Sequence, residues 1–296
     1  MSAPRVRRSR FVLALARRYA RRRLRRAFDG VWGSGLEAVR SLAAETPLVV
    51  AANHVAWWDP FMVVLLDELL GTESYCLMDA ANLARLPFFG WLGAVPLERG
   101  DARRALSDLR ASATLADRPG RLLWLFPQGA LRRAHLRPLD LREGVRILAR
   151  DTQLPVVPLG LDYAFGAASR PLALASFGTP VTHAEAPAGR FVPALEARMV
   201  AELGHIEHEL ARRATPAPVV TPGGARRSLA AAPRLHAPGS DDARPFVPLL
   251  GRGGGELPLG ARLLAWLGGG TAPDRRTPDG RPPCALGRPT AEARED

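Results

Sequence analysis

The sequence contains no lysine and only two cysteines, Cys76 and Cys284, in 296 residues. Cysteines so far apart form neither a disulfide framework nor a paired-thiol metal site, which points to a reducing, cytoplasmic setting. The missing lysine, beside abundant Ala, Arg, Gly and Pro, marks a GC-rich coding bias, so a single surface arginine says little. Long apolar runs are missing too. No stretch supplies the roughly 18 apolar residues that a membrane span needs, because His54, Asp59, Asp67 and Glu68 interrupt the most hydrophobic part. The apolar stretch Phe11–Ala16 behind Arg7 and Arg8 is too short for a cleavable export signal. If such a protein meets a membrane, it lies on the surface.

What is present begins with charge. The formal charge of +12 falls almost wholly on the first 28 residues, which hold eleven arginines and no acid, whereas the rest sets 30 arginines against 29 acids. From Arg5 to Val31, Val12, Ala16, Ala20, Leu24, Ala27 and Val31 recur at spacings of three and four, predicting a basic amphipathic helix over residues 1–30. Three readings of it stand open: a helix on an anionic lipid interface, a solvated basic arm, or a nucleic-acid arm. The interleaved Phe11, Leu13, Leu15, Tyr19 and Phe28 favour lipid. The near-neutral body argues against a nucleic-acid partner.

Residues 31–212 alternate short apolar runs with amphipathic stretches, the pattern of an α/β domain with a mixed, largely parallel sheet flanked by helices. Strands are predicted at Leu48–Ala52, Tyr75–Met78, Leu122–Phe126 and Val156–Leu161, and helices at Phe61–Leu70, Ala102–Ala116, Arg142–Arg150 and Pro193–Arg213. Residues 213–296 hold 13 of the 27 prolines and 13 of the 28 glycines, the composition of a largely disordered tail. Within it, Leu257–Leu267 with Trp266 predicts a turn or two of helix.

The segment Asn53-His54-Val55-Ala56-Trp57-Trp58-Asp59-Pro60 joins a strand to a helix. Imidazole suits proton abstraction near neutral pH, and a carboxylate on its second nitrogen would fix the tautomer and stabilise the imidazolium. An alternative is structural: Asp59 before Pro60 is also a good helix N-cap. There is no Gly-x-Ser-x-Gly elbow and no His/Cys/Asp cluster at metal-ligand spacing, so serine-hydrolase and metalloenzyme chemistry lack their residues.

His54 with Asp59 resembles the first block of the glycerolipid acyltransferase family, the lysophospholipid or 1-acylglycerol-3-phosphate acyltransferases, whose bacterial members acylate lysophosphatidic acid. Three more segments follow in that family's order. Gly93-Ala94-Val95-Pro96-Leu97-Glu98-Arg99-Gly100 is similar to the second block, Phe126-Pro127-Gln128-Gly129 to the third, and Leu154-Pro155-Val156-Val157-Pro158-Leu159 to the fourth. The resemblance spans roughly residues 30–185, including Arg142-Glu143-Gly144, where the family has a basic residue and a glycine opening a helix.

The resemblance implies His54 and Asp59 as catalytic residues and Arg99, Phe126, Pro127, Gln128 and Gly129 as substrate contacts. It implies direct transfer from acyl-CoA or acyl carrier protein to a lipid hydroxyl, with no cofactor and no metal; the cysteine usage and the basic helix add a peripheral place on the cytoplasmic face of the membrane. The third block departs from Phe-Pro-Glu-Gly-Thr-Arg by carrying Gln128, Ala130 and Leu131, which exchanges a charged clamp for a neutral one and favours a neutral, glycolipid-like acceptor over lysophosphatidic acid. Arg99 argues the other way, unless it merely pairs with a neighbouring acid. Trp57 and Trp58 suit a channel wall, a membrane interface or plain core packing. The competing non-enzymatic reading is a lipid-binding or scaffolding protein on the same fold.

Overall fold

In the computed structural model, residues 6, 8–166, 168–186, 188–214 and 244–250 are described. The apolar runs read from the sequence build the middle of an eight-stranded sheet. Its strands are β1 (Gly30–Ser34), β2 (Leu48–Ala52), β3 (Glu73–Asp79), β4 (Ala94–Leu97), β5 (Arg121–Leu125), β6 (Val156–Phe165), β7 (Pro171–Phe177) and β8 (Val247–Leu250). They lie in the order β4-β3-β5-β2-β6-β7-β1-β8. The five strands from β4 to β6 are mutually parallel, β6 and β7 are antiparallel, β7 and β1 parallel, and β8 antiparallel to β1.

Strand β2 sits in the centre, with Val50 opposite Trp124 on one side and Val157 on the other. All five of its residues are buried, the mark of a parallel strand covered on both faces. Alternation sorts the side chains. Val49 and Ala51 face a core shared with helices α6 (Ala102–Ala113), α7 (Gly144–Thr152) and α8 (Phe191–Ala214). Leu48, Val50 and Ala52 face one shared with α1 (Arg10–Ala27), α2 (Leu36–Glu45) and α3 (Asp59–Leu70). Two short helices, α4 (Ala80–Arg85) and α5 (Phe88–Leu92), bridge β3 and β4.

The N-terminal helix forms, but over a shorter span than predicted. Ser9 caps it, its Oγ accepting from Val12 N at 3.4 Å, and the chain turns extended at Phe28, so Val31 lies in β1 rather than on the helix. The apolar stripe read from the sequence does not face lipid: Ala20 and Leu24 are buried, and α1 packs against α3. Its arginines are partly paired there, Arg17 with Asp67 at 2.9 Å and Arg21 with Glu68 at 2.8 Å. Phe11 and Leu15 are the exposed large apolar residues of this helix.

Within residues 213–296, expected to be largely disordered, the described residues are ordered: α8 runs to Ala214, and residues 244–250 return to the sheet, closing on β1. Arg244 holds this return, bonding Glu202 Oε1 at 2.7 Å and the Phe177 carbonyl. The other residues of that stretch, with Cys284 and the helix predicted at Leu257–Leu267, lie outside the described residues. Among the described residues no helix is long and apolar enough to cross a membrane.

Candidate active site

The functional side chains gather where open α/β sheets place them, beyond the carboxyl ends of the parallel strands. His54 follows β2, Arg99 follows β4, and Phe126–Gly129 follow β5. Asn53 ends the central strand without ending its ladder. Its side-chain amide donates to the Leu161 carbonyl at 2.9 Å and accepts from Leu161 N at 2.7 Å. This buried clasp fixes the point at which the chain leaves the sheet.

One residue later, His54 Nδ1 lies 2.5 Å from Asp59 Oδ2. The same oxygen accepts from Val55 N at 2.8 Å and Ala56 N at 3.1 Å. Asp59 therefore ties up the turn that precedes it and does not cap α3, whose N-cap residue, Trp58, makes no side-chain capping bond. The capping alternative for this carboxylate falls away. Asp59 is wholly buried, while the His54 side chain is 26% exposed, so the pair presents only its imidazole to the outside. With Nδ1 committed to the carboxylate, Nε2 is the nitrogen left for a substrate proton.

The third block, with Arg132 just beyond it, clamps His54 from both sides. Gln128 Oε1 accepts from His54 N at 2.7 Å, Arg132 N donates to the His54 carbonyl at 2.7 Å, and the Phe126 ring lies 4.5 Å from the imidazole, centroid to centroid. Gln128 Nε2 donates to the Leu139 carbonyl at 3.0 Å. Both ends of this amide are thus held by backbone, and Gln128 does not line the cavity beside His54. This corrects the sequence expectation that it faces the acceptor. Its position is that of a brace for the loop that carries His54.

That cavity has a volume of about 840 Å³ and is walled mainly by apolar side chains, among them Val63, Leu77, Leu97, Leu106, Leu109 and Ile147. His54, Arg99, Phe126, Pro127 and Gly129 all line it. Gly129 closes a tight turn, its N–H donating to the Phe126 carbonyl at 3.0 Å, with φ of 64°. A side chain there would be strained by the backbone and would meet Arg142 Nε at 2.8 Å and Arg99 Nη2 at 3.2 Å. Two guanidinium groups therefore converge over this glycine.

Arg99 pairs with Asp79 at 3.7 Å, not with Glu98 or Asp101, its neighbours in sequence. Arg142 is fixed by its own backbone N–H, which donates to the Pro127 carbonyl at 2.9 Å. Sequence reading placed Arg142 in a family position without giving it a role; only the fold shows that it reaches the cavity. Two other residues went unassigned. Cys76 lines the cavity, and burial pushes its thiol up to about 12. Tyr163 donates its hydroxyl to Asp59 Oδ1 at 2.7 Å. Among the described residues no group of three or more His, Cys, Asp or Glu is placed to hold a metal ion.

Known proteins align with this part of the chain. Residues 34–162 match the family model described as Acyltransferase. The 1-acyl-sn-glycerol-3-phosphate acyltransferase of Helicobacter pylori (strain J99 / ATCC 700824) is 26% identical over 144 residues, 47% of this chain. The chain spans only 58% of that relative's length. The crystal structure of the 1-acyl-sn-glycerophosphate (LPA) acyltransferase PlsC from Thermotoga maritima shares the fold, with a TM-score of 0.50 at 16% identity over 67% of this chain and 80% of that one. The matched residues 34–162 carry the His54–Asp59 pair and all four sequence blocks, so this part of the chain is similar to the acyltransferase family.

Proposed function

We propose that this protein is an O-acyltransferase that moves a fatty acyl group from the thioester of acyl-CoA or acyl carrier protein to a lipid hydroxyl. The observation that carries the reading is the His54–Asp59 contact of 2.5 Å at the wall of an apolar cavity of about 840 Å³. In the reaction, the acceptor oxygen bonds to the thioester carbonyl carbon as His54 Nε2 takes the hydroxyl proton. The carbon–sulfur bond then breaks, and the thiolate leaves with that proton from the imidazolium. Asp59 holds the ring in the tautomer this requires and balances the transient positive charge. The apolar walls suit an acyl chain.

For the acceptor, the geometry favours a phosphate-bearing lysolipid over the neutral one that the third block suggested. Arg142 supplies from another element the guanidinium that Leu131 denies, and with Arg99 it forms a two-cation rim suited to phosphate. The name of the Helicobacter pylori relative agrees with that choice. For location, Phe11 and Leu15 continue through Tyr19 to Phe61 and Trp57, with ring separations of 5.9 and 5.3 Å, and Ser9 N joins this end of α1 to the Trp91 carbonyl. Exposed Phe11, Leu15, Trp57 and Trp91 beside the arginines of α1 suit the surface of an anionic bilayer. A cytoplasmic face fits the acyl donors.

The test is release of free CoA from acyl-CoA in the presence of lysophosphatidic acid or a neutral glycolipid. His54→Ala should lower turnover by about a thousandfold or more. Activity that survives it rules out the base. Arg142→Ala should raise KM for the phosphate-bearing acceptor by roughly tenfold while leaving the acyl donor's KM unchanged. A neutral acceptor turned over faster, and indifferently to that change, would refute the phosphate assignment.

A further inference from the structure

Asp59 is completely buried and uses both of its oxygens. Oδ2 receives His54 and the two backbone N–H groups, and Oδ1 receives the Tyr163 hydroxyl at 2.7 Å. Tyr163 stands on β6 four residues beyond Leu159, the last residue paired with β2. The sheet therefore carries this phenol past the end of the central strand to the rear of the catalytic turn. Phe28, at the foot of α1, packs against the Tyr163 ring at 5.5 Å and against Trp58 at 5.1 Å. Burial first, and then the Asp59 carboxylate, push the phenol well above its ordinary range, so it remains a donor wherever the enzyme works.

We infer that Tyr163 is a positioning residue of the reaction: its hydrogen bond to Oδ1 sets the plane of Asp59, so that Oδ2 stays on His54 Nδ1, and draws off part of the negative charge that the imidazole meets. The inference rests on the reading of His54 as the base. A donor on Oδ1 does two things that a purely apolar neighbour cannot. It removes the rotational freedom of the carboxylate about its last bond, and it weakens the carboxylate's pull on the imidazolium. The first raises turnover. The second keeps the imidazole neutral to lower pH, because a less negative partner stabilises the protonated ring less.

The charged and ionisable groups around the pair come from several elements. Tyr163 touches it directly, through Asp59 Oδ1, and Asp162 neighbours Tyr163 on β6, its carboxyl raised by burial. The Cys76 thiol from β3, Asp79 and Arg99 from the ends of β3 and β4, and Arg142 ahead of α7 line the cavity. Arg23 of α1 lies over the Trp58 ring at 5.5 Å. Apart from Tyr163 itself, none of these is altered by Tyr163→Phe, which keeps the ring against Phe28 and deletes one hydroxyl.

The experiment is an NMR titration of the His54 ring in the full-length protein without substrate, together with steady-state kinetics. In Tyr163→Phe the His54 titration midpoint and the acid limb of the kcat profile should both move to higher pH, and kcat should fall about three- to tenfold with both KM values unchanged. In the Asp59→Asn background the same substitution should leave the midpoint where it was. Replacing Tyr163 by 3-fluorotyrosine, a stronger donor of nearly the same shape, should move the midpoint down. An unmoved midpoint in Tyr163→Phe, or a shift that persists without the Asp59 carboxylate, overturns the inference. Absence of turnover in the parent protein would instead defeat the functional reading, since the titration needs no substrate.

Discussion

A thiol that shares a cavity with the proposed general base invites a route through an acyl-enzyme, and Cys76 shares one with His54. Its ionisation decides the matter. A cysteine attacks as thiolate, and burial pushes this thiol up to about 12. Across the working pH range the thiol is therefore protonated, which supports the proposed direct attack by the acceptor. Cys76→Ala should retain turnover to within about twofold, because a neutral thiol contributes only its volume to the wall. Reaction with iodoacetamide should stay slow through pH 9, where a normal thiol is half ionised, and accelerate only toward pH 12. A Cys76→Ala protein that loses turnover yet still binds acyl-CoA would restore the covalent route.

At the scale of elements, helix α1 shows that one amphipathic pattern can serve a protein core and a surface at once. Its period was legible because Ala20 and Leu24 had to meet α3; what they meet was not, since periodicity marks a face without naming its partner. The consequence is practical. Deleting residues 1–28 would strip Leu24 and Phe28 from the core together with any membrane contact, and loss of fold would pass for loss of anchoring. Phe11→Ser with Leu15→Ser avoids this, because Phe11 is 73% and Leu15 44% exposed. Thermal stability should hold to within roughly 0.5 kcal/mol, while sedimentation with anionic liposomes should fall severalfold. Undiminished sedimentation would remove the proposed lipid surface. The same contrast between local and remote information explains the rest of the sequence reading. Strands β2, β3, β5 and β6 announce themselves as bounded apolar runs, and His54 with Asp59 lie five residues apart on one turn. Strands β1, β7 and β8 are short or Gly- and Pro-containing, and Tyr163 and Arg142 reach the site across 104 and 14 residues of chain, as their contacts with Asp59 and Gln128 show.

On the scale of the whole molecule, the sheet has one edge at β4 and another that β1 would form if residues 244–250 did not cover it. An uncovered edge exposes unpaired backbone groups that seek other chains. Strand β8 covers β1, and the side chain that fastens it is Arg244. Glu202, 7% exposed on α8, takes the Arg244 guanidinium on Oε1 and the Ser176 hydroxyl on Oε2. His205 stands beside Ser176 at 3.1 Å, its ring packed on Phe246 of the returning segment, and burial lowers its affinity for a proton. The sign of its contribution follows: the folded form holds His205 neutral below the ordinary histidine range, so stability is full above that range and is lost as pH falls through it. Removing the guanidinium has a larger effect, because it leaves the Glu202 charge buried with a single neutral donor on its other oxygen. Arg244→Ala should cost about 2–3 kcal/mol, discounted for the partial exposure of the guanidinium, and lower the melting temperature by several degrees. Arg244→Ala with Glu202→Gln should recover part of that loss, since the orphaned charge is then gone. A double variant no more stable than Arg244→Ala would show that the clasp acts through packing of Phe246 and Leu250, and not through the ion pair that joins β8 to α8.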